Sequence, residues 1–151
     1  MPQGSSLDFS LQFGHFAGDA EHRRIVTPAN VRRWVGIALN EAAEIAVRIV
    51  GEEEARALNK QFRRKDYATN VLTFDYARTP MVMADIVLCG PVVEREAAQQ
   101  GKALKDHYAH LLVHGTLHAQ GYEHETSERD ALEMETLEIL LLAALGVRNP
   151  Y

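Results

Sequence analysis

One segment decides the interpretation of this chain, and its sequence is His114-Gly-Thr-Leu-His118-Ala-Gln-Gly121-Tyr-Glu-His124. His114 and His118 stand at positions i and i+4, so on a helix both imidazoles project from one face and can meet one ion. Gly121 then allows a sharp turn, in a backbone geometry that other residues disfavour. That turn can bring His124 back over the same ion. The spacing therefore predicts a metal-binding helix and one zinc ion held by three histidines.

Three protein ligands without a fourth are typical of a catalytic zinc site, whose open position holds a water with a pKa lowered to roughly 7. The same ligands and glycine occur in the metzincin proteases, whose motif is H-E-x-x-H-x-x-G-x-x-H. Gly115 stands where those proteases carry their general-base glutamate. It argues against proteolysis by that mechanism and is expected to leave room beside the metal for a substrate. The alternative is that these histidines lie on a helix surface and share no partner.

The composition is that of a soluble globular protein. The 151 residues are 46% hydrophobic and 25% charged, which fits one domain spanning residues 1–151. Cys89 is the single cysteine, so a disulfide within the chain and a cysteine-based zinc site are both excluded, which suits a reducing cytoplasm. The N-terminus does not resemble a signal peptide, and the longest apolar stretch, residues 139–145, is far shorter than the roughly 18 residues that span a bilayer. We therefore expect a cytoplasmic protein without a membrane partner.

Charge is unevenly distributed along the chain. The net charge of −5 argues mildly against indiscriminate binding to nucleic acid, and no DNA partner is expected. A locally basic face nevertheless stays open, because five basic residues fall in one segment. They are Arg56, Lys60, Arg63, Arg64 and Lys65.

The periodicity of apolar residues predicts an α+β fold, in which a small mixed sheet of about four strands is covered by helices. Strands are expected at residues 7–13, 44–50, 70–76 and 83–89, and helices at residues 28–39, 52–62, 91–100, 103–120 and 128–145. Residues 18–26 are expected to form a loop with a short strand end at Ile25 and Val26. Thr27 before Pro28 and Ser127 before Asp130 are typical helix starts. In the last helix, the core face is expected to consist of Leu132, Thr136, Ile139, Leu140 and Ala143.

Several segments together resemble the YbeY family of bacterial endoribonucleases, which act in ribosomal RNA maturation and ribosome quality control. The first is residues 114–124, against a family pattern of H-G-x-L-H-x-x-G-Y-D-H. The others are residues 58–74, which contain Phe62-Arg63-x-Lys65-Asp66, residues 84–88 and residues 133–146. Glu123 replaces the usual Asp, Ala84 the usual Gly, and Asp75 a common Pro. Order and spacing agree from about residue 40 to residue 151.

The resemblance implies one zinc ion per chain on His114, His118 and His124, and a zincin-like metal helix. The implied substrate is single-stranded RNA, chiefly ribosomal RNA, with the small ribosomal subunit as partner and maturation of the 3′ end of 16S rRNA as the role. It also implies that Arg63 is functionally important. The residues alone favour a solvated basic turn at Arg63 over a guanidinium that holds phosphate oxygens, and the resemblance reverses that preference.

Four further residues of the sequence, and His107 beside them, have chemistry that suits a role at or near this site. Asp85 opens an apolar strand, where it either orients a ligand imidazole or water from behind or caps the strand edge. His110 and His107 share the face of the ligands, and either contacts RNA, assists proton transfer or forms a buried hydrogen bond. Tyr122 is expected to pack against the turn, and Cys89 to behave as a small buried hydrophobe.

The sequence as a whole predicts a zinc-dependent endoribonuclease in which His114 and Arg63 are catalytic. The attacking nucleophile is either a metal-activated water or the ribose 2′-hydroxyl, and the sequence does not choose between them. Two alternatives stay open. One is a non-catalytic ribosome-assembly factor with a structural zinc, and the other is a metallohydrolase that acts on small molecules or peptides.

Overall fold

A mixed four-stranded sheet with helices on both faces forms the framework of the protein. The computed structural model describes residues 6–122 and 127–151. The strands are β1 (Leu7–Phe13), β2 (Ala43–Val50), β3 (Val71–Ala77) and β4 (Val82–Cys89). The helices are α1 (Asp19–Ile25), α2 (Pro28–Ile37), α3 (Glu52–Arg63), α4 (Gly90–Gln100), α5 (Leu104–Ala119) and α6 (Glu128–Ala144). The predicted α+β class is confirmed.

The strands run in the order β1-β2-β4-β3. The pairs β1/β2 and β2/β4 are parallel, while the edge strand β3 is antiparallel to β4. Successive side chains of β4 point to opposite faces. Ile86 and Leu88 enter the larger core with α2 and α5, whereas Val87 and Cys89 enter a smaller core with α3 and α4. Both faces of β4 are therefore covered, which explains its nearly continuous apolar sequence.

Gly115 lets α5 lie unusually close to the sheet. A Cβ at this position would lie 3.2 Å from both Ile86 Cγ2 and Thr73 Oγ1, which is tighter than ordinary van der Waals contact. The expectation that Gly115 leaves room for a substrate is therefore wrong, because side chains of β3 and β4 fill that space. The glycine instead sets the distance between the histidine helix and the edge of the sheet.

The buried face of α6 differs from the predicted one. Leu132 and Leu140, which were expected in the core, are 67% and 63% exposed. The fully buried positions are Met134, Glu138 and Leu142. Apolar residues occur on both sides of this helix, so their periodicity does not identify one face. Glu138 lies in the middle of the buried face, and a charged residue there makes that face look exposed in the sequence.

Residues 18–26 also differ from the prediction, because α1 replaces the expected loop and strand end. Its first turn carries Asp19 and Glu21 and its last turn Arg23 and Arg24, an order that complements the helix dipole. His22, in the middle of this helix, is fully buried and contacts the Tyr108 hydroxyl. The order of charges along α1 and the contact of His22 with Tyr108 thus favour a helix here, despite the β-strand preference of Ile25 and Val26.

The predicted helix ends are confirmed. Thr27 Oγ1 accepts a hydrogen bond from the backbone N–H of Asn30 at 3.1 Å, and Ser127 Oγ accepts one from Asp130 N–H at 3.0 Å. Gly121 ends the histidine helix with a φ of 103°, as its position predicted. Within residues 6–122 and 127–151, no helix has the length and apolar character needed to cross a membrane.

Candidate active site

The histidine helix delivers two imidazoles to a cleft. Between Leu111 and Ala119, the side chains that are not fully buried are those of His114 and His118. Both line a cavity of about 340 Å³ between α5, β3 and the end of α3. Arg63 lines the same cavity, which we name the histidine cleft. The i, i+4 spacing thus brings His114 and His118 to one cleft, and their binding of a metal ion stays a prediction.

Glu138 on α6 is the acidic partner of this cleft. Its side chain is 1% exposed and receives three hydrogen bonds. His114 Nδ1 lies 2.8 Å from Oε2, while His110 Nε2 and the Tyr151 hydroxyl lie 3.0 Å and 2.7 Å from Oε1. A buried carboxylate therefore connects a predicted metal ligand to a second histidine and to a tyrosine.

The ionisation state of Glu138 determines which ring nitrogen of His114 carries the proton. Burial on its own raises the pKa of Glu138, but hydrogen bonds from His110 and His114 outweigh it, and the pKa falls from its ordinary 4.5 to about 2. An ionised carboxylate only accepts hydrogen bonds, so the proton of His114 is on Nδ1. In the neutral ring, the lone pair then resides on Nε2, which is the nitrogen a metal ion can use.

Removing Glu138 is expected to destabilise the fold. Glu138→Ala deprives two imidazoles and a phenol of their acceptor, so we expect the free energy of unfolding to fall by about 3–5 kcal/mol. Urea denaturation at neutral pH in a metal chelator measures this loss without any contribution from bound metal. Glu133→Ala, an exposed glutamate of the same helix, is the matched control and is expected to stay within about 0.5 kcal/mol of wild type. Equal stability of the two variants would contradict the role of Glu138.

The same carboxylate makes stability depend on acidity. Its folded pKa of about 2 lies below the ordinary value of 4.5, so the ionised form stabilises the fold above pH 4.5. This contribution is lost as the pH falls towards 2.

The other two histidines of α5 have different environments. His107 is 3% exposed and its Nε2 lies 2.9 Å from Glu96 Oε1, which confirms the interpretation of a buried, hydrogen-bonded histidine. Burial lowers its pKa. His110 lines the histidine cleft and contacts Glu138 on one side of the ring. Contact of His110 with RNA stays a prediction.

The basic segment supplies one guanidinium to the cleft. Arg63 and Lys65 line the cavity and are exposed. Arg64 between them ends α3 in the left-handed conformation, with a φ of 59°. Arg63 is thus the last residue of α3, and Lys65 lies beyond the turn. The structure therefore brings Arg63 together with His114 and His118, which are 51 and 55 positions away along the chain.

Asp85 does not line the histidine cleft, but it shares a second cavity with His118. That cavity, of about 660 Å³, is also lined by Arg63. Its Oδ2 accepts a hydrogen bond from the Tyr76 hydroxyl at 2.7 Å, which raises the pKa of that phenol. The place of Asp85 is compatible with the predicted role behind a ligand, and that role stays a prediction.

The third predicted ligand, His124, lies outside the described residues. Among residues 6–122 and 127–151, no three His, Cys, Asp or Glu side chains are grouped so that they could hold a metal ion. Tyr122 packs against the main core, whereas packing against the turn was expected, and Cys89 is buried as predicted. Burial raises the pKa of the Cys89 thiol.

Sequence reasoning missed Glu138 and Tyr151. A signal for Glu138 was available, because Met134, Glu138 and Leu142 repeat every four residues and share one helix face. A carboxylate on such a stripe needs buried donors, and the four histidines of α5 were the obvious supply. Tyr151 carried no comparable signal, because the residues before it, Arg148, Asn149 and Pro150, form no periodic apolar pattern.

Comparison with known proteins assigns the family. The family model described as Endoribonuclease YbeY matches residues 20–146. A Polaromonas sp. protein named Endoribonuclease YbeY is 68% identical over 145 residues, covering 96% of this chain and 94% of its own. The protein of that name from Paracidovorax citrulli is 60% identical over 147 residues, covering 97% of both chains. The solution structure of TM1509 from Thermotoga maritima superposes with a TM-score of 0.61 at 25% identity and covers 89% of this chain and 86% of its own. This chain belongs to the Endoribonuclease YbeY family.

Proposed function

We propose that this protein is a zinc-dependent endoribonuclease that cuts single-stranded RNA. The observation that carries the proposal is the convergence of Arg63, His114 and His118 on one cleft. Two imidazoles offer ligands for a borderline metal such as zinc, and a guanidinium matches the shape and charge of a phosphodiester. The relatives named as endoribonucleases support this class of substrate.

The residues present fit a zinc ion. His114 donates its Nδ1 proton to a buried carboxylate, an arrangement that is typical of metal-bound histidine because it fixes the tautomer and raises ligand basicity. In this proposal His114, His118 and His124 hold one ion per chain. When bound, zinc supplies Lewis-acid chemistry: it polarises a phosphoryl oxygen and lowers the pKa of water to roughly 7.

The chain itself supplies charge and orientation. Cleavage of a phosphodiester builds negative charge on the equatorial oxygens, and in this proposal Arg63 holds two of them through parallel N–H groups. Lys65 contributes positive charge along the RNA backbone without reading its sequence. Glu138 keeps the imidazole of His114 in one orientation. The nucleophile stays open between water and the ribose 2′-hydroxyl, and a 2′,3′-cyclic phosphate on the product would exclude direct attack by water.

We also propose ribosomal RNA in the small subunit as the substrate and the cytoplasm as the compartment. The first rests on the resemblance of residues 58–74 and 114–124 to the YbeY family. The second is supported by a single, buried, unpaired cysteine, which suits a reducing compartment.

A circular single-stranded RNA tests the proposed activity, because an exonuclease cannot enter a molecule without ends. We expect the wild-type protein to linearise the circle and then fragment it, while a fully paired duplex of the same length stays intact. His118→Ala is expected to leave the circle closed on a denaturing gel. A non-catalytic assembly factor predicts that wild-type protein binds the circle and leaves it uncut, and that result would refute the activity.

A further inference from the structure

A second cavity continues the histidine cleft on the far side of Arg63. It measures about 660 Å³ and lies between α3, β3 and β4. Arg63, Thr73 and His118 line both cavities, so they form a ridge between them. A phosphate held on this ridge would have its neighbouring nucleotides directed into one cavity and the other.

Exposed aromatic side chains are concentrated at these two cavities. Four large aromatic residues are exposed among the described residues, with exposed fractions between 53% and 66%. Phe62 and Tyr76 line the second cavity, and Tyr67 and Tyr151 line the histidine cleft. The other exposed large hydrophobic residues are aliphatic and line neither cavity. Leaving aromatic surface in water is unfavourable, so its concentration here indicates a ligand with flat apolar faces.

The two exposed aromatic residues of the second cavity are each held in place at one edge. The Phe62 ring meets the Phe74 ring edge to face, with centroids 5.2 Å apart. The Tyr76 hydroxyl donates to Asp85 Oδ2 at 2.7 Å. These contacts limit rotation of the rings while leaving 57% of Phe62 and 66% of Tyr76 exposed. A platform fixed in this way loses little conformational entropy when a flat ligand stacks on it.

The walls of this cavity also carry polar groups of both kinds. Asp85 presents a carboxylate acceptor, and Arg48 presents a donor. The Arg48 Nε atom is buried and makes no hydrogen bond to any described residue, although its Nη1 pairs with Glu54. The edges of nucleobases carry both donors and acceptors, and the guanidinium of Arg48 and the carboxylate of Asp85 bring one group of each kind to the cavity lining.

We propose that the second cavity is a nucleobase subsite, in which a base next to the phosphate on Arg63 stacks against the wall formed by Phe62 and Tyr76. This inference rests on the proposed RNA substrate and adds where the strand is gripped. The net charge of −5 limits the affinity that general attraction to phosphate can supply, so contacts to bases must contribute. Stacking is suited to this because every base has an aromatic face.

Equilibrium binding of a labelled single-stranded RNA of roughly eight nucleotides, followed by fluorescence anisotropy, tests the subsite. We expect Phe62→Ala and Tyr76→Ala each to raise Kd by roughly 5- to 100-fold. Tyr76→Phe keeps the ring but loses the hydrogen bond to Asp85, so it is expected to raise Kd less than Tyr76→Ala does. Leu140→Ala removes a comparably exposed apolar side chain that lines neither cavity, and it serves as the matched control. Each reading is taken before cleavage sets in, and a gel run on the same sample checks that the RNA is still intact.

An RNA with one abasic nucleotide, moved along the strand, assigns the contact to a base. We expect one position at which the abasic site weakens binding to wild type but has little further effect on Phe62→Ala, because the lost partner is the same. The dependence of Kd on salt should stay unchanged in the aromatic variants, whereas Arg63→Ala should reduce its slope by roughly 0.7.

The outcomes separate the subsite from the activity. If Phe62→Ala and Tyr76→Ala bind like wild type, or if no abasic position couples to Phe62, the subsite is refuted even when the protein cuts RNA. If the coupling is found but the protein cuts nothing, the subsite stands and the proposed catalysis falls. If wild type binds no single-stranded RNA, both are refuted, and a peptide partner becomes the occupant to test.

Discussion

Replacing Arg63 by alanine is expected to lower kcat for the cleavage of single-stranded RNA by roughly 10²–10³-fold. The guanidinium lines the same cleft as His114 and His118, where it can hold the oxygens on which charge develops at phosphorus. That charge is greatest in the transition state, so the loss should appear mainly in kcat. Arg63→Lys keeps the charge without the planar fork and is expected to recover only part of the rate.

The neighbouring arginine provides a close control. Arg64→Gly removes the same charge one position away, and glycine tolerates the φ of 59° that Arg64 adopts. We expect this variant to cut RNA at nearly the wild-type rate under single-turnover conditions. Equal losses in Arg63→Ala and Arg64→Gly would mean that the segment acts only by long-range attraction to RNA, and the specific role of Arg63 would be wrong.

Replacing His114 by alanine is expected to abolish stable zinc binding and to reduce cleavage to background. His114 is the predicted ligand that Glu138 holds in place, so the variant loses both a donor atom and the group that Glu138 orients. Zinc content after dialysis and the cleavage rate are measured on the same sample. His15→Ala is the control, because that side chain is 93% exposed and lies far from α5 in sequence.

The structural alternative makes a different prediction for His114→Ala. A zinc ion that serves only the fold predicts a large fall in Tm with no RNA cleavage by wild type at all. A catalytic ion predicts that the wild type cuts RNA and that the variant stays folded while losing activity. Some fall in Tm is expected in either case, since Glu138 loses one of its hydrogen-bond donors, at a cost of about 1–3 kcal/mol.

Local signals in the sequence predicted the elements that carry the site. The i, i+4 spacing of His114 and His118 requires only a helix, and Gly121 requires only a left-handed turn, so neither depends on distant residues. The same holds for the caps at Thr27 and Ser127, since each joins a side chain to a backbone N–H three positions later.

The predictions that were wrong concern how elements distant in the sequence pack against one another. The buried face of α6 was assigned wrongly because this helix is apolar on two sides, and its orientation is set by donors on α5 that receive Glu138. Gly115 was given a role beside the metal, whereas the approach of α5 to Ile86 and Thr73 explains it. The walls of the second cavity come from α3, β3 and β4, so only the packing of these elements brings Phe62 and Tyr76 to one cavity.

Restoring zinc to the stripped protein tests the central claim most directly. The native protein is treated with a chelator, its cleavage of single-stranded RNA is measured, and zinc is then added back stepwise while bound metal and rate are recorded together. We expect the rate to fall to background on stripping and to rise in proportion to bound zinc, reaching its maximum at about one ion per chain. A stripped protein that cuts as fast as the native one would contradict the claim.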